Sequence, residues 1–159
     1  MLSGAAGIAY GHHSIWQFWA PPRDRIGSGH GGPILPWQAA LTRPGATQMR
    51  HLRALLESHP ILGRKPAPEL IFESPNNADH LAAARGEGYA FVYSPAGHPI
   101  TLRPSVLPAG QYRGTWFNPR TGTSESGPTI EGGPGISDHR IACPTEGFGG
   151  DWVLILDGG

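Results

Sequence analysis

Apolar positions along this chain change rhythm near residue 60, and the change separates two kinds of structure. Upstream, Met49, Leu52, Leu55 and Leu56 recur at spacings of three and four. That period lays side chains on one face of an α-helix. It predicts an amphipathic helix from Gly45 to Ser58, with Arg50, Arg53 and Glu57 on other faces and Pro44 and Pro60 bounding it. Before it, Pro36-Trp37-Gln38-Ala39-Ala40-Leu41 predicts a helical turn opened by proline. Ala5 to Tyr10 is a run of small and apolar residues without polar alternation, which predicts a strand covered on both faces, as in a parallel sheet. One strand, a long loop and one helix make a βα unit. The stripe on that helix needs a sheet that a single strand cannot supply.

Downstream the helical period disappears and short strand-like runs follow one another. His80 to Arg85 leads through Gly86-Glu87-Gly88, a hairpin signal, into Tyr89-Ala90-Phe91-Val92-Tyr93. Pro95-Ala96-Gly97 turns the chain into Ile100-Thr101-Leu102, and Gln111 to Phe117 is closed by Asn118-Pro119-Arg120-Thr121-Gly122. Shorter strands are predicted around Ser124, Ile130 and Ile136 to Ala142. The last, Trp152-Val153-Leu154-Ile155-Leu156, is apolar on both faces and so central. About seven short strands with frequent turns predict an antiparallel β-sandwich. No internal repeat is present.

Composition narrows the classes. Gly (24) and Pro (17) are both abundant but lack a triplet period, which excludes a collagen-like chain and fits a turn-rich β protein. Twelve basic residues balance twelve acidic ones, so charge points to neither nucleic acid nor a membrane surface. Lys65 is the single lysine, an arginine bias that matches a GC-rich, bacterial type of genome. Cys143 stands alone, which excludes an internal disulfide and a thiolate zinc site and leaves a small buried hydrophobe. No apolar run approaches the roughly 20 residues of a membrane span. The N-terminus carries no basic n-region, so no signal peptide is read.

The candidate chemistry gathers where the first apolar run empties into Tyr10-Gly11-His12-His13-Ser14-Ile15-Trp16-Gln17-Phe18-Trp19. Aromatic faces stack on the C–H faces of sugars and imidazoles bond to hydroxyls. Tyr10, His12, His13, Trp16 and Trp19 are therefore the expected substrate-binding residues. The alternative is that Trp16 and Phe18 are core. A metal site from His12, His13 and His30 lacks HxH or HExxH spacing, so no metal or cofactor is expected. Glycoside hydrolysis usually takes two carboxyl groups about 5 to 9 Å apart. The first 58 residues hold only Asp24, between two arginines, and Glu57, in the last helical turn, so no catalytic pair is expected. The Gly27 to Gly32 loop lacks the Gly-Lys-Ser/Thr ending of a phosphate loop and reads as a connector. Tyr89, Tyr93, Tyr112, Trp116 and Trp152 read as sandwich core, with a binding face as the alternative.

Gly4-Ala5-Ala6-Gly7-x-x-Tyr10-Gly11-His12-His13-x-Ile15-Trp16-Gln17-Phe18 resembles the last barrel strand of the apiosidase-like glycoside hydrolases. Pro36-Trp37-Gln38-x-Ala40-Leu41-x-x-Pro44-Gly45-Ala46-x-Gln48-Met49, with Leu52-Arg53-x-Leu55-Leu56, resembles that family's final barrel helix. Ala84-Arg85-Gly86-Glu87-x-Tyr89-Ala90-Phe91-Val92-Tyr93, then Trp116-Phe117-Asn118-Pro119-Arg120-Thr121-Gly122 and Asp151-Trp152-Val153-Leu154, resemble its C-terminal domain, commonly labelled collagen-binding.

The resemblance implies a mainly β chain: residues 60–159 an antiparallel β-sandwich, residues 1–59 the last βα unit of a (β/α)8 hydrolase barrel. Barrel active sites lie at the C-terminal ends of the strands, which implies that His12, His13 and Trp16 sit on the catalytic face. The family's catalytic carboxylates come from earlier strands, so no residue here inherits them. The expected function is a C-terminal fragment of a carbohydrate-active hydrolase, inactive alone. The alternatives are a non-catalytic module for polysaccharide or collagen, or a structural accessory domain. Carbohydrate is the implied partner, and secretion or the periplasm the implied place of the parent enzyme. The helix stripe, short of barrel partners, is expected to leave residues 1–58 protease-sensitive while the sandwich resists.

Overall fold

The computed structural model describes residues 2–21, 33 and 35–159. Three helices come first: α1 (His13–Trp16), α2 (Trp37–Ala40) and α3 (Pro44–Glu57). Pro36 and Pro44 open α2 and α3, where a missing N–H costs nothing. Eight strands follow: β1 (Lys65–Pro66), β2 (Ala82–Gly86), β3 (Tyr89–Ser94), β4 (Ile100–Leu102), β5 (Gly110–Asn118), β6 (Thr123–Gly132), β7 (His139–Ile141) and β8 (Trp152–Gly158). Six form one antiparallel sheet in the order β1-β2-β3-β8-β5-β6, and β4 pairs with β7 in a second. The β2–β3 hairpin turns on Glu87-Gly88, where Gly88 has φ 73°, a left-handed angle that a side chain would strain. Strand β8 lies between β3 and β5, the central place its two-faced apolar run predicts.

Alternation along β8 divides the core. Trp152, Leu154 and Leu156 join Val92, Tyr112, Trp116 and Ile130 on one face, packed with Ile100, Leu102 and Ile141 of the small sheet. Val153 and Ile155 point the other way, with Tyr89, Phe91 and Phe117, and there they meet Leu55 of α3. The molecule is thus layered: small sheet, large sheet, then helix. The aromatics Tyr89, Tyr112, Trp116 and Trp152 are buried in these cores, and Tyr93 is partly buried beside them.

Several expectations are corrected. Ala5–Tyr10 forms no strand and is exposed. No described strand lies beside it to take its backbone hydrogen bonds, and a strand forms only as part of a sheet. The strands expected around Ser124 and Ile130 are one, β6, with an irregular register against Arg113 and Thr115. Pro128 sits there and donates no hydrogen bond, which an edge strand tolerates. The Gly27–Gly32 connector, Asp24 and His30 lie outside the described residues.

A dense joint ties α3 to the large sheet. Arg64 Nη2 donates to Leu56 O (2.7 Å) and His59 O (3.1 Å), while its Nε donates to Tyr89 Oη (2.8 Å). Tyr89 Oη in turn donates to Pro60 O at 2.5 Å. The His59 ring stacks on Tyr89 at 4.5 Å and its Nε2 meets Asp157 Oδ1 at 2.6 Å. Arg64 thereby satisfies a carbonyl that the end of the helix leaves open. At the other end of the sheet, His51 packs so closely on Gly122 that an added Cβ would come within 2.3 Å of its Nδ1. The middle of the helix, at His51, therefore lies against the β5–β6 turn, and its C-terminal end lies at Tyr89, beside the β2–β3 turn.

Candidate functional site

Backbone from Tyr10 to Trp19 makes a short aromatic rim beside the start of α3. His12 caps α1: its Nδ1 accepts from the Ser14 N–H at 3.2 Å, which orients the ring by a structural bond. His13 meets the Trp16 ring edge-on, with centroids 5.0 Å apart. Trp16 folds back over Gly11, where a Cβ would come within 2.4 Å of the indole, so only glycine fits beneath it. Even so, Trp16 is 70% exposed. Tyr10, 48% exposed, places its hydroxyl over Gly45 of α3, where a Cβ would come within 2.6 Å.

Helix α2 is sewn onto this rim. Trp19 O accepts from Trp37 N at 2.9 Å, and Trp19 N donates to Ser14 O at 3.0 Å. Phe18, at a left-handed φ of 47°, is turned outward and meets Trp37 edge-on at 5.5 Å. The structure thus brings His13 to Trp16 and Trp19 to α2, and sets Tyr10 on α3. The reading of Trp16 and Phe18 as core does not hold, since both are exposed. Sequence reasoning missed Trp37 as a neighbour of the rim. The Pro36-Trp37 pair marked a helix start, but nothing in its spacing tied it to residue 19.

Two polar atoms of the rim are shut away from solvent without a hydrogen-bond partner among the described residues: Ser14 Oγ and Trp19 Nε1. Buried polar atoms are normally paired. Carboxylates are scarce here. Glu57 is the one acidic residue described in the first 58, and it pairs with Arg53 at 2.8 Å on the exposed side of α3. Neither a carboxylate pair nor a cluster of metal-ligating side chains exists among the described residues of this segment. An apolar strip runs alongside, lined by Ile8, Met49, Leu52, Leu56 and Ile61.

The perturbed titrating groups lie in the sandwich. Burial, reinforced by the Asp151 charge, pushes the Tyr93 hydroxyl up to about 12. Burial also raises Asp151 against the opposing pull of Arg120, whose Nε is 3.5 Å away. Burial pushes the Cys143 thiol up to about 11, and its Sγ donates to His98 O at 3.3 Å. A thiol so held stays protonated and is a poor nucleophile.

Residues 66–157 match the family model described as "Putative collagen-binding domain of a collagenase", more than half of the chain. The chain belongs to that family. Its residues 1–63 match the model of the apiosidase-like catalytic domain. Among solved structures, one described as a glycoside hydrolase superposes with a TM-score of 0.80 at 29% identity, over 94% of this chain and 32% of its own. A glycoside hydrolase family 5 protein from Bacteroides vulgatus ATCC 8482 gives a TM-score of 0.83 at 26% identity, with the same two coverages. The chain therefore spans about a third of the length of these relatives. No curated relative matches it. It is a glycoside-hydrolase-like fragment joined to a collagen-binding-type domain.

Proposed function

We propose that this chain supplies the closing βα segment and the C-terminal sandwich of a glycoside hydrolase and has no hydrolytic activity alone. In this reading residues 1–59 belong to a (β/α)8 barrel and residues 60–159 are the sandwich that buttresses it. Tyr10, His12, His13, Trp16 and Trp19 contact sugar at the rim, and the carboxyl pair comes from strands outside the chain. The observation that carries this is the rim itself: exposed aromatics with, among the described residues, two unpartnered buried polar atoms and no carboxylate pair. The apolar strip on α3 is then a surface for the rest of the barrel.

The test is an assay of the purified 159-residue chain on aryl glycosides, with a fluorescence titration of its tryptophans by soluble oligosaccharides. The expected outcome is no turnover, and weak sugar binding that Trp16→Ala abolishes. Turnover that survives repurification contradicts the reading of inactivity.

The description of the matched family favours a second reading, a non-catalytic module for collagen or polysaccharide. Tyr89, Tyr112, Trp116 and Trp152, the alternative binding face for such a module, are buried. A collagen and glycan array with the chain decides: retention on triple-helical collagen supports the module.

A further inference from the structure

The small sheet turns its second face outward, away from the large sheet and α3. Ile100, Leu102 and Ile141 fill the core, so the alternate positions Thr101 and Arg140, opposed in the β4–β7 register, share the outer face. The chain from Phe72 to Leu81 borders that face: Phe72 N donates to Thr101 O at 2.9 Å, and Leu81 N to Ser74 Oγ at 2.8 Å. Between this segment and the sheet lies a cleft of about 620 Å³, lined by Glu73, Asp79, His98, Thr101 and Arg140. That volume lies in the range of small-molecule sites, roughly 300–1,000 Å³.

The polar groups of this cleft are open to solvent and largely uncommitted. Glu73 and Arg140 are exposed, and the side chains of Asp79 and His98 are 40% and 44% exposed. Among the described residues, the side chains of Glu73, Thr101 and Arg140 make no hydrogen bond or ion pair, although Arg140 shares the cleft with two carboxylates. His98 is oriented from behind. Its Nδ1 lies 2.7 Å from Glu146 Oε1, and an ionised carboxylate only accepts, so Nδ1 carries the proton. Its Nε2 stands 3.7 Å from Asp79 Oδ1, too far for a hydrogen bond, and is left for a ligand.

We infer that this cleft binds a neutral glycan. A carboxylate only accepts hydrogen bonds and a guanidinium only donates them, whereas a sugar hydroxyl does both. Hydroxyls of one ring donate to Asp79, Glu73 and His98 Nε2, and a neighbouring oxygen accepts from Arg140. An anionic ligand would face two carboxylates, and a cationic one Arg140, so the mixed wall favours a ligand without charge. Pro75 and Pro99, neither of them buried, supply C–H surface for the ring. The site lies across the large sheet from α3 and the aromatic rim, so it takes its ligand independently of them. The match of hydroxyls to the wall stands on this geometry. The choice of a sugar among polyhydroxyl ligands rests on the carbohydrate reading of the chain.

No tryptophan lines the cleft, so a tryptophan titration of the rim does not report on it. The test is a glycan and collagen array, followed by calorimetry, on the full chain carrying Trp16→Ala, which removes the rim's expected sugar contact. Neutral oligosaccharides should still be retained. Affinity for the best-retained one should change by less than about twofold between about 0.05 and about 0.5 M salt, because no ion pair forms. Asp79→Asn and Arg140→Gln, both at solvent-open positions, should each weaken it about tenfold and leave the urea midpoint unchanged. Failure of Trp16→Ala to hold any neutral glycan overturns the inference and leaves the proposed function standing. Retention that ignores both cleft substitutions places the ligand elsewhere and overturns it. A tenfold loss of affinity with salt, or retention of triple-helical collagen in place of glycan, overturns the ligand class.

Discussion

The sandwich and the segment before it are built from similar proportions of apolar residues, yet they use them differently. In the sandwich, both faces of the large sheet are covered, and Phe91, Leu154 and Leu156 are wholly buried. In the preceding segment, Ile8, Tyr10, Trp16, Phe18 and Leu41 lie open to water. The segment holds to the sandwich through Leu55, partly buried Leu2, His51 against Gly122 and the joint around Arg64. Pattern alone marks both regions as fold-forming; burial depends on whether a partner surface exists. A helix stripe can therefore be read correctly and still be half used. Leu55 and Leu56 are buried, while Leu52 and Met49, about one and two turns earlier, are only partly buried along an open strip.

Substitutions that remove covered apolar groups should show the contrast most strongly. Phe91→Ala empties the layer between sheet and helix and should cost about 3–5 kcal/mol in a urea titration. Leu55→Ala acts at the contact between the two regions. It should cost about 2 kcal/mol and speed proteolysis of residues 2–58 more than that of the sandwich. Arg64→Ala removes the bonds to Leu56 O, His59 O and Tyr89 and should cost about 1.5 kcal/mol. Trp16→Ala, on the open rim, should change stability by less than about 0.5 kcal/mol. A large loss from Trp16→Ala would show that the rim packs as a core and would erase the distinction.

Alkaline titration probes the sandwich alone. Tyr93 holds its proton up to about 12 when folded, against an ordinary value of 10.0. Between those values the unfolded chain releases a proton that the folded chain keeps, so stability falls as pH rises from 10 to 12. Cys143 does the same between 9 and 11. Urea midpoints should therefore fall across pH 9–12, with Tyr93→Phe flattening the upper part of that fall and Cys143→Ser the lower part.

Much of the fold can be read from local pattern because local pattern causes it. The 3-4 spacing of Leu52, Leu55 and Leu56 makes a helix wherever it packs, and the two-faced run at 152–156 makes a central strand. The misread element, Ala5–Tyr10, is of the other kind: small residues suit a buried strand only if neighbouring strands are present to pair with it. The rim residues are neighbours in sequence, and His13 meets Trp16 within one helical turn. Their joining to Trp37 depends on backbone bonds across about twenty residues that no periodicity announces.

Hydrogen exchange followed residue by residue over the whole chain tests the contrast between the two regions most directly. The account predicts slow exchange in β3, β5 and β8, fast exchange from Ala5 to Trp19, and a gradient along α3 with protection rising from Gly45 toward Leu56. Uniform, slow exchange across residues 5–57, matching that of β8, would contradict it.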